Sequence, residues 1–158
     1  MIKTLTLENF KNFKEARLTV GDFTLLVGTN ASGKSNLRDA FRFLHGVSRG
    51  YTLAEIVGEK WIDGGVLQWR GIRGGIREIA FRGHDTFSIQ AELSTGETYR
   101  IAVRSTDPSG LRVVQESLHI DGKTVFDAHE NNASSGRDPA DSLTVDFPNK
   151  RFNQGHKH

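Results

Sequence analysis

Eight residues, Gly28-Thr29-Asn30-Ala31-Ser32-Gly33-Lys34-Ser35, satisfy the spacing G-x-x-x-x-G-K-[ST]. Each residue type in that spacing has a chemical reason. Two glycines let the backbone bend tightly, so that successive N–H groups converge on one oxyanion. A helix starting at the lysine adds its free N–H groups and the positive end of its dipole. Lys34 is a flexible cation that reaches terminal phosphates, and Ser35 supplies a hydroxyl for a Mg²⁺ ion carried by those phosphates. The bare pattern also describes a glycine-rich turn with a surface lysine, so the flanking elements decide between the two.

Those elements are the ones a phosphate loop needs. Phe23–Val27, "FTLLV", is nearly continuous in apolar residues and predicts a strand covered on both faces. After the loop the period changes: Leu37, Ala40, Phe41 and Leu44 recur at i, i+3, i+4, i+7, one stripe of a helix. Gly46 is the expected stop, with His45 at the negative C-terminal end. Ahead of the loop, Ile2–Leu7 and Ala16–Val20 alternate as half-buried strands. Residues 46–75 are glycine-rich, with one short helical turn expected over Thr52–Val57. From Ile76 to about Phe126 the pattern is β, with alternation over Phe87–Leu93 and Tyr99–Arg104. "STGE" joins those two runs, and Asp121-Gly122 is a hairpin signal. Asp107-Pro108-Ser109-Gly110 reads as a turn and residues 127–142 as loop. The tail "NKRFNQGHKH" is polar and basic.

Composition bounds the rest. A chain of 158 residues makes about one domain, and 36% apolar with 25% charged residues is ordinary globular usage. No apolar run approaches the roughly 18 residues of a membrane span. The first residues alternate rather than forming a signal-peptide block. With no cysteine there is no disulfide framework and no thiolate metal site, and a cytoplasmic setting is expected. A net charge of +2 is too small to argue for nucleic acid by itself.

The loop "GTNASGKSN", with Asn30 inside it and Asn36 after the serine, resembles the P-loop of SMC/RecF-type ATPases, the chromosome-maintenance and repair branch of the ABC ATPases. "IKTLTLENFKNFKEARLTVGDFTLLVG" resembles their opening: a strand, an F-K-x-F turn, a second strand and the P-loop strand. The β-meander, including "VVQESLHIDGKTVF", looks like the antiparallel subdomain that follows. The resemblance covers about residues 1–126. It implies an α/β (α+β) fold, the N-terminal lobe of an ABC-type P-loop NTPase: a mixed sheet with one P-loop helix and an antiparallel meander. Residues 127–158 form a loop-rich polar segment. It also implies ATP and Mg²⁺ as ligands. Gly28, Asn30, Ala31, Ser32, Gly33, Lys34, Ser35 and Asn36 would hold the nucleotide, Ser35 would contact Mg²⁺, and Lys11 falls where the family places a basic residue near the nucleotide. Lys11 reads equally well as a solvated turn lysine.

Hydrolysis in that family needs more than a P-loop. A Walker B strand ends in Asp-Glu, a Q-loop glutamine senses the γ-phosphate, and a signature motif arrives from a second head. "SLTVD" (Ser142–Asp146) has polar residues where apolar ones belong, and no Glu follows it. "LHID" (Leu118–Asp121) runs into the hairpin turn. "SSGRD" (Ser134–Asp138) is followed by proline where a helix should begin. Gln68 precedes the meander, and Gln154 lacks an apolar lead-in. No catalytic residue is therefore assigned. The chain reads as a fragment, a shortened relative or one half of a split ATPase, completed by a C-terminal half or a second head. An incomplete layer around Phe23–Val27 is expected to leave apolar surface exposed. Arg70, Arg73, Arg77 and Arg82 form either a basic stripe for DNA or solvated arginines beside a strand, and the second is favoured. The alternative to an ATPase lobe is a non-catalytic interaction module that keeps its P-loop. A kinase or GTPase-like switch is disfavoured, because no parallel βαβ repeats and no Asn-Lys-x-Asp stretch follow.

Overall fold

The structure is a computed structural model and describes residues 1–29, 32–107 and 110–130. "SSGRD", "SLTVD", Gln154 and the basic tail lie outside the described residues, as do Asn30, Ala31, Pro108 and Ser109. In chain order the elements are β1 (Ile2–Phe10), β2 (Phe13–Thr19), α1 (Lys34–Ser48), α2 (Leu53–Val57), β3 (Glu59–Ile62) and β4 (Val66–Arg70). A 3-10 turn (Gly75–Glu78) follows, then β5 (Thr86–Leu93), β6 (Glu97–Asp107), β7 (Gly110–Ile120) and β8 (Lys123–His129).

Six strands make one sheet in the order β2-β1-β5-β6-β7-β8, and every described pairing in it is antiparallel. Alternation sorts its two faces as the pleat requires. Leu5, Leu7, Phe87, Ile89, Ile101 and Val103 are buried on one side. The register puts Thr6, Ser88, Gln90 and Arg100 on the other. The Asp121-Gly122 turn has positive φ at both residues, 49° and 74°, the geometry of a tight hairpin.

α1 lies on the apolar face. Its Leu37, Ala40, Phe43 and Val47 join the core, and the Phe43 ring meets Phe87 edge-on at 5.6 Å. The helix runs two residues past Gly46, the expected stop. Gly46 is instead a packing site: a Cβ there would lie 2.6 Å from Ile56 Cγ1 of α2. The helical turn expected at Thr52–Val57 forms and carries a capping box. The Thr52 hydroxyl accepts from the Glu55 N–H, and the Glu55 carboxylate accepts from the Thr52 N–H.

Three expectations are corrected. Residues 127–129, read as the start of a loop, are the end of β8, paired with Gln115, Glu116 and Ser117 of β7. β5 begins at Thr86 rather than Ile76, because the 3-10 turn and a bridge between Phe10 and Ala80 occupy the intervening chain. Phe23–Val27 is not a strand, and its residues are open to solvent: Phe23 is 85%, Leu25 72% and Val27 83% exposed. A strand is held by neighbours on its edges. Among the described residues no strand pairs with this segment, so its backbone has no ladder partner. The exposed apolar surface expected from an incomplete layer is therefore present.

Candidate functional site

α1 begins without a side-chain cap. Gly33 is its N-cap, at φ +90°, and the first intrahelical bond runs from the Leu37 N–H to the Gly33 carbonyl at 2.9 Å. Only glycine takes that φ freely, and here it is needed twice over, since a Cβ would sit 2.9 Å from the Phe13 ring. The first amides of the helix are thus left for an external acceptor. A Cβ on Gly28 would fall 2.6 Å from Ser32 Oγ and 3.5 Å from Lys34 Nζ, inside the hollow of the loop. Lys34 folds back over that hollow. Its Nζ donates to the carbonyls of Gly28 (2.5 Å) and Thr29 (2.6 Å) and to Ser32 Oγ (3.1 Å).

In front of the helix lies a cavity of about 360 Å³ lined by Asn12, Ser32, Gly33, Lys34, Ser35, Asn36 and Arg73. Its lining holds two cations and no carboxylate, the electrostatics a polyphosphate requires. A second hollow of about 500 Å³ adjoins it through Asn12 and Asn36, with Lys11, Arg77, Glu78, Phe81 and Arg82 on its walls.

The β1–β2 turn holds the loop from behind. Asn36 Nδ2 donates to Asn12 Oδ1 at 2.8 Å, and Phe13 packs on Gly33. Lys11 is not a solvated turn lysine. Its side chain is buried, and its Nζ lies 3.3 Å from Asp39 Oδ2 and donates to the Arg73 carbonyl at 2.6 Å. Asp39, 1% exposed on α1, also takes the Arg73 guanidinium at 3.1 Å, and Arg73 reaches on to Asn36 Oδ1 at 3.4 Å. One buried carboxylate therefore ties together the β1–β2 turn, the P-loop helix and the 71–75 loop. Of the four arginines weighed as a stripe and read as solvated, Arg73 enters this network, while Arg77 and Arg82 line the larger hollow.

Ser32, Gly33, Lys34, Ser35 and Asn36 line the cavity, Gly28 lies against Ser32 and Lys34, and Lys11 lines the adjoining hollow, paired with Asp39. Sequence reasoning missed Asn12 and Asp39, and it weighed Arg73 only as a DNA-stripe or solvated arginine, not as part of this site. Asp39 did leave a signal: a carboxylate two residues after Leu37 and four before Phe43, within the buried arc of the helix. Arg73 left none, because only the folded loop carries it to α1.

A family model described as "AAA domain, putative AbiEii toxin, Type IV TA system" matches residues 23–154, well over half of the chain. The chain belongs to this AAA-domain family. The matched span opens at Phe23 and contains every P-loop residue named above, whereas Lys11 precedes it. A likeness to structural maintenance of chromosomes proteins covers a shorter stretch. Structural maintenance of chromosomes protein 1 of Arabidopsis thaliana is 52% identical over 52 residues, which is 31% of this chain and 4% of that protein. Its Schizosaccharomyces pombe counterpart is 39% identical over 67 residues, 40% of this chain and 5% of that protein. A solved structure described as "Structure of the recombination mediator protein RecF-ATP in RecFOR pathway" covers 82% of this chain and 28% of its own, at 18% identity and a TM-score of 0.46. The chain thus corresponds to a small part of each relative. Among the described residues of this AAA-domain chain, no helix is long and apolar enough to cross a membrane.

Proposed function

We propose that this chain binds ATP with Mg²⁺ and forms the N-terminal nucleotide-binding lobe of an SMC/RecF-like ATPase. The lobe, bounded at about residue 126 by sequence, is carried by β8 to His129, and the residues after it are polar in composition. The observation that carries the reading is the uncapped start of α1, opening on a hollow lined by Lys34 and Arg73 with no carboxylate. Bound nucleotide would supply the anionic partner that Lys34 lacks, while Arg73 is held at the rim of the hollow by Asp39. The amides of Gly33 to Asn36 would donate to it, and Ser35 would complete the coordination of the Mg²⁺ that the nucleotide brings. Lys34 would exchange three neutral acceptors for charged oxygens, a stronger set of hydrogen bonds. Asn30 and Ala31 belong to the same loop by sequence, and Lys11 acts through Asp39 in holding Arg73.

Turnover would await residues from a C-terminal half or a second head, since no Walker B pair was found in the sequence. The SMC1 matches favour a role in DNA maintenance or repair, and the family description favours one in defence. A cytoplasmic setting accords with both. The exposed Trp61, Ile62 and Val66 of the β3–β4 hairpin favour a second reading, an interaction module that retains its P-loop without catalysis.

The test is calorimetric titration of the chain with Mg-ATP. Lys34→Ala is expected to weaken binding by roughly tenfold or more, since it removes the charge-assisted contact. Equal affinity in parent and variant refutes the assignment. ATP turnover by the purified chain, abolished in Lys34→Ala, refutes the non-catalytic reading.

A further inference from the structure

The six-stranded sheet ends in two edges, β2 and β8. An edge strand presents unpaired N–H and C=O groups, and a bulge or a covering segment is a common way to blunt it. β8 is blunted, because its pairing with β7 shifts register between Leu118 and His119. β2 is not. Its seven residues pair with β1 in one unbroken register, from Thr4 opposite Thr19 to Phe10 opposite Phe13. Among the described residues no strand pairs with its other side.

That register fixes which backbone groups reach the open edge. The Val20 N–H donates to the Lys3 carbonyl at 2.8 Å, and bonded positions alternate along an antiparallel ladder. Leu18 and Ala16 therefore turn their backbone groups to β1, whereas Arg17 and Glu15 turn theirs outward. The side chains of Glu15 and Arg17 are exposed on the polar face of the sheet, opposite Glu8 and Thr6 of β1. Like charges set directly opposite each other are destabilising. The Arg100 guanidinium answers Glu8 at 2.8 Å, but Glu15 enters no ion pair among the described residues. Arg17 meets Glu92 at 3.5 Å with its side chain 66% exposed, a surface contact of little strength.

We propose that the open edge of β2 docks a second copy of this chain, the two β2 strands running antiparallel about a two-fold axis at Ala16. A two-fold contact is self-complementary, residue i meeting j and j meeting i. With the axis at Ala16, Glu15 stands opposite the partner's Arg17, and Arg17 opposite the partner's Glu15. Two ion pairs then form on the polar face, and each joins residues whose backbone groups already point at the edge. Moving the axis to Glu15 or to Arg17 sets that charge against its own copy. Placing it between two residues opposes outward to inward backbone groups and breaks the ladder. Ala16 itself falls in a non-bonded pair, where the Cα atoms approach to about 4.5 Å and a small side chain fits. The contact joins two six-stranded sheets into one, with main-chain bonds supplying most of the affinity. A seven-residue edge makes a small interface, so association at roughly 10–100 µM is expected. Neither Glu15, Ala16 nor Arg17 lines the P-loop cavity, and the contact is independent of the nucleotide reading.

The experiment is sedimentation velocity of the full chain without nucleotide, at concentrations from about 5 to about 200 µM. The parent is expected to pass from monomer to dimer. Glu15→Arg and Arg17→Glu, each made alone, set like charges in both pairs and should weaken the dimer at least ~10-fold. Glu15→Arg/Arg17→Glu restores opposite charges in both pairs and should recover it, as should an equimolar mixture of the two single variants. These changes touch only exposed side chains. The chain has no cysteine, so Ala16→Cys reports the register. Its thiol and that of the second copy fall within disulfide reach, and oxidation with diamide should link them. Thr19→Cys, opposite Phe13 of the partner subunit, should stay unlinked. A parent that remains monomeric throughout overturns the proposal, as does a dimer indifferent to the charge changes or not recovered by the double variant. Linkage through Thr19→Cys but not Ala16→Cys overturns it too. So does a dimer that forms only with Mg-ATP, which places the contact at the nucleotide instead.

Discussion

Glu116 is a carboxyl group in the core, and its titration should be visible in the stability of the whole lobe. It is 1% exposed on β7, opposite Ile101 on the apolar face of the sheet, where α2 packs on β7. Tyr99 donates its hydroxyl to Oε1 at 2.6 Å, while Oε2 has no partner among the described residues. Burial pushes its pKa up to about 7, and the Tyr99 hydrogen bond offsets only part of that rise. The unfolded chain releases the same proton near 4.5. Between these values the folded state keeps a proton that the unfolded state has lost, so stability falls as pH rises. A gap of about 2.5 units at about 1.4 kcal/mol each amounts to about 3 kcal/mol, most of it lost by about pH 7 and the curve flat above about pH 8.

The assay is urea unfolding at half-unit steps from pH 5 to 8.5, on the parent and on Glu116→Gln. The glutamine carbonyl keeps the Tyr99 bond, and its amide leaves an unpartnered buried donor that costs about 1–3 kcal/mol at every pH. The variant should therefore be the weaker protein at pH 5 and should equal or exceed the parent at pH 8. Glu8 and Glu55 do not blur this window. Glu8 is held below its usual value by hydrogen bonds to Arg100 and Ser88. The Thr52 and Lys60 bonds to Glu55 outweigh its burial, the largest single influence on it. Their stabilisation is present above pH 4.5 and is lost only on going lower. The decisive quantity is the difference between the two proteins, which share every other titratable group. Parallel curves, with no convergence between pH 5 and 7.5, refute the reasoning.

Two further substitutions probe the supports of the loop. Asp39→Ala leaves the buried Lys11 ammonium without its carboxylate and should cost about 3–5 kcal/mol in urea unfolding. Adding Lys11→Met should recover part of that loss, and strict additivity of the two changes would refute the pairing. Gly46→Ala drives a methyl group to within 2.6 Å of Ile56 Cγ1, and overpacking of about 1–3 kcal/mol should outweigh its helix-propensity gain of about 1 kcal/mol. Ile56→Val should relieve the strain, and if it adds to the loss instead, the close contact is not its source.

What was legible from sequence was what is local. α1, the Thr52 turn, the alternation of β5 and β6 and the Asp121-Gly122 hairpin each follow from periodicity or turn chemistry within about a dozen residues. What was not legible depends on partners distant in the chain. Gly46 has the identity of a helix stop but the function of a close contact, which becomes visible only when α2 lies against it. Lys11 reads as a turn lysine until Asp39, 28 residues on, is brought to it. The P-loop itself stood in plain view, yet Asn12 and Arg73, which complete the walls of its cavity, carry no spacing relation to it.

Phe23–Val27 shows most clearly why an apolar run predicts burial without guaranteeing it. The hydrophobic term favours a strand there only when a second surface arrives to remove its side chains from water. Its backbone groups likewise need edges to bond to. Neither meets it among the described residues, so the segment feeding the loop is exposed and free of the sheet. Whatever completes it must bring both an apolar cover and at least one strand edge. The outward face of α1 sets a limit on that completion. Arg38 and Arg49 stand where an apolar layer would have to strip two cations of water, with no carboxylate of this helix paired to either among the described residues. A completing layer that pairs with Phe23–Val27 must therefore either bring acidic residues to that face or leave it open.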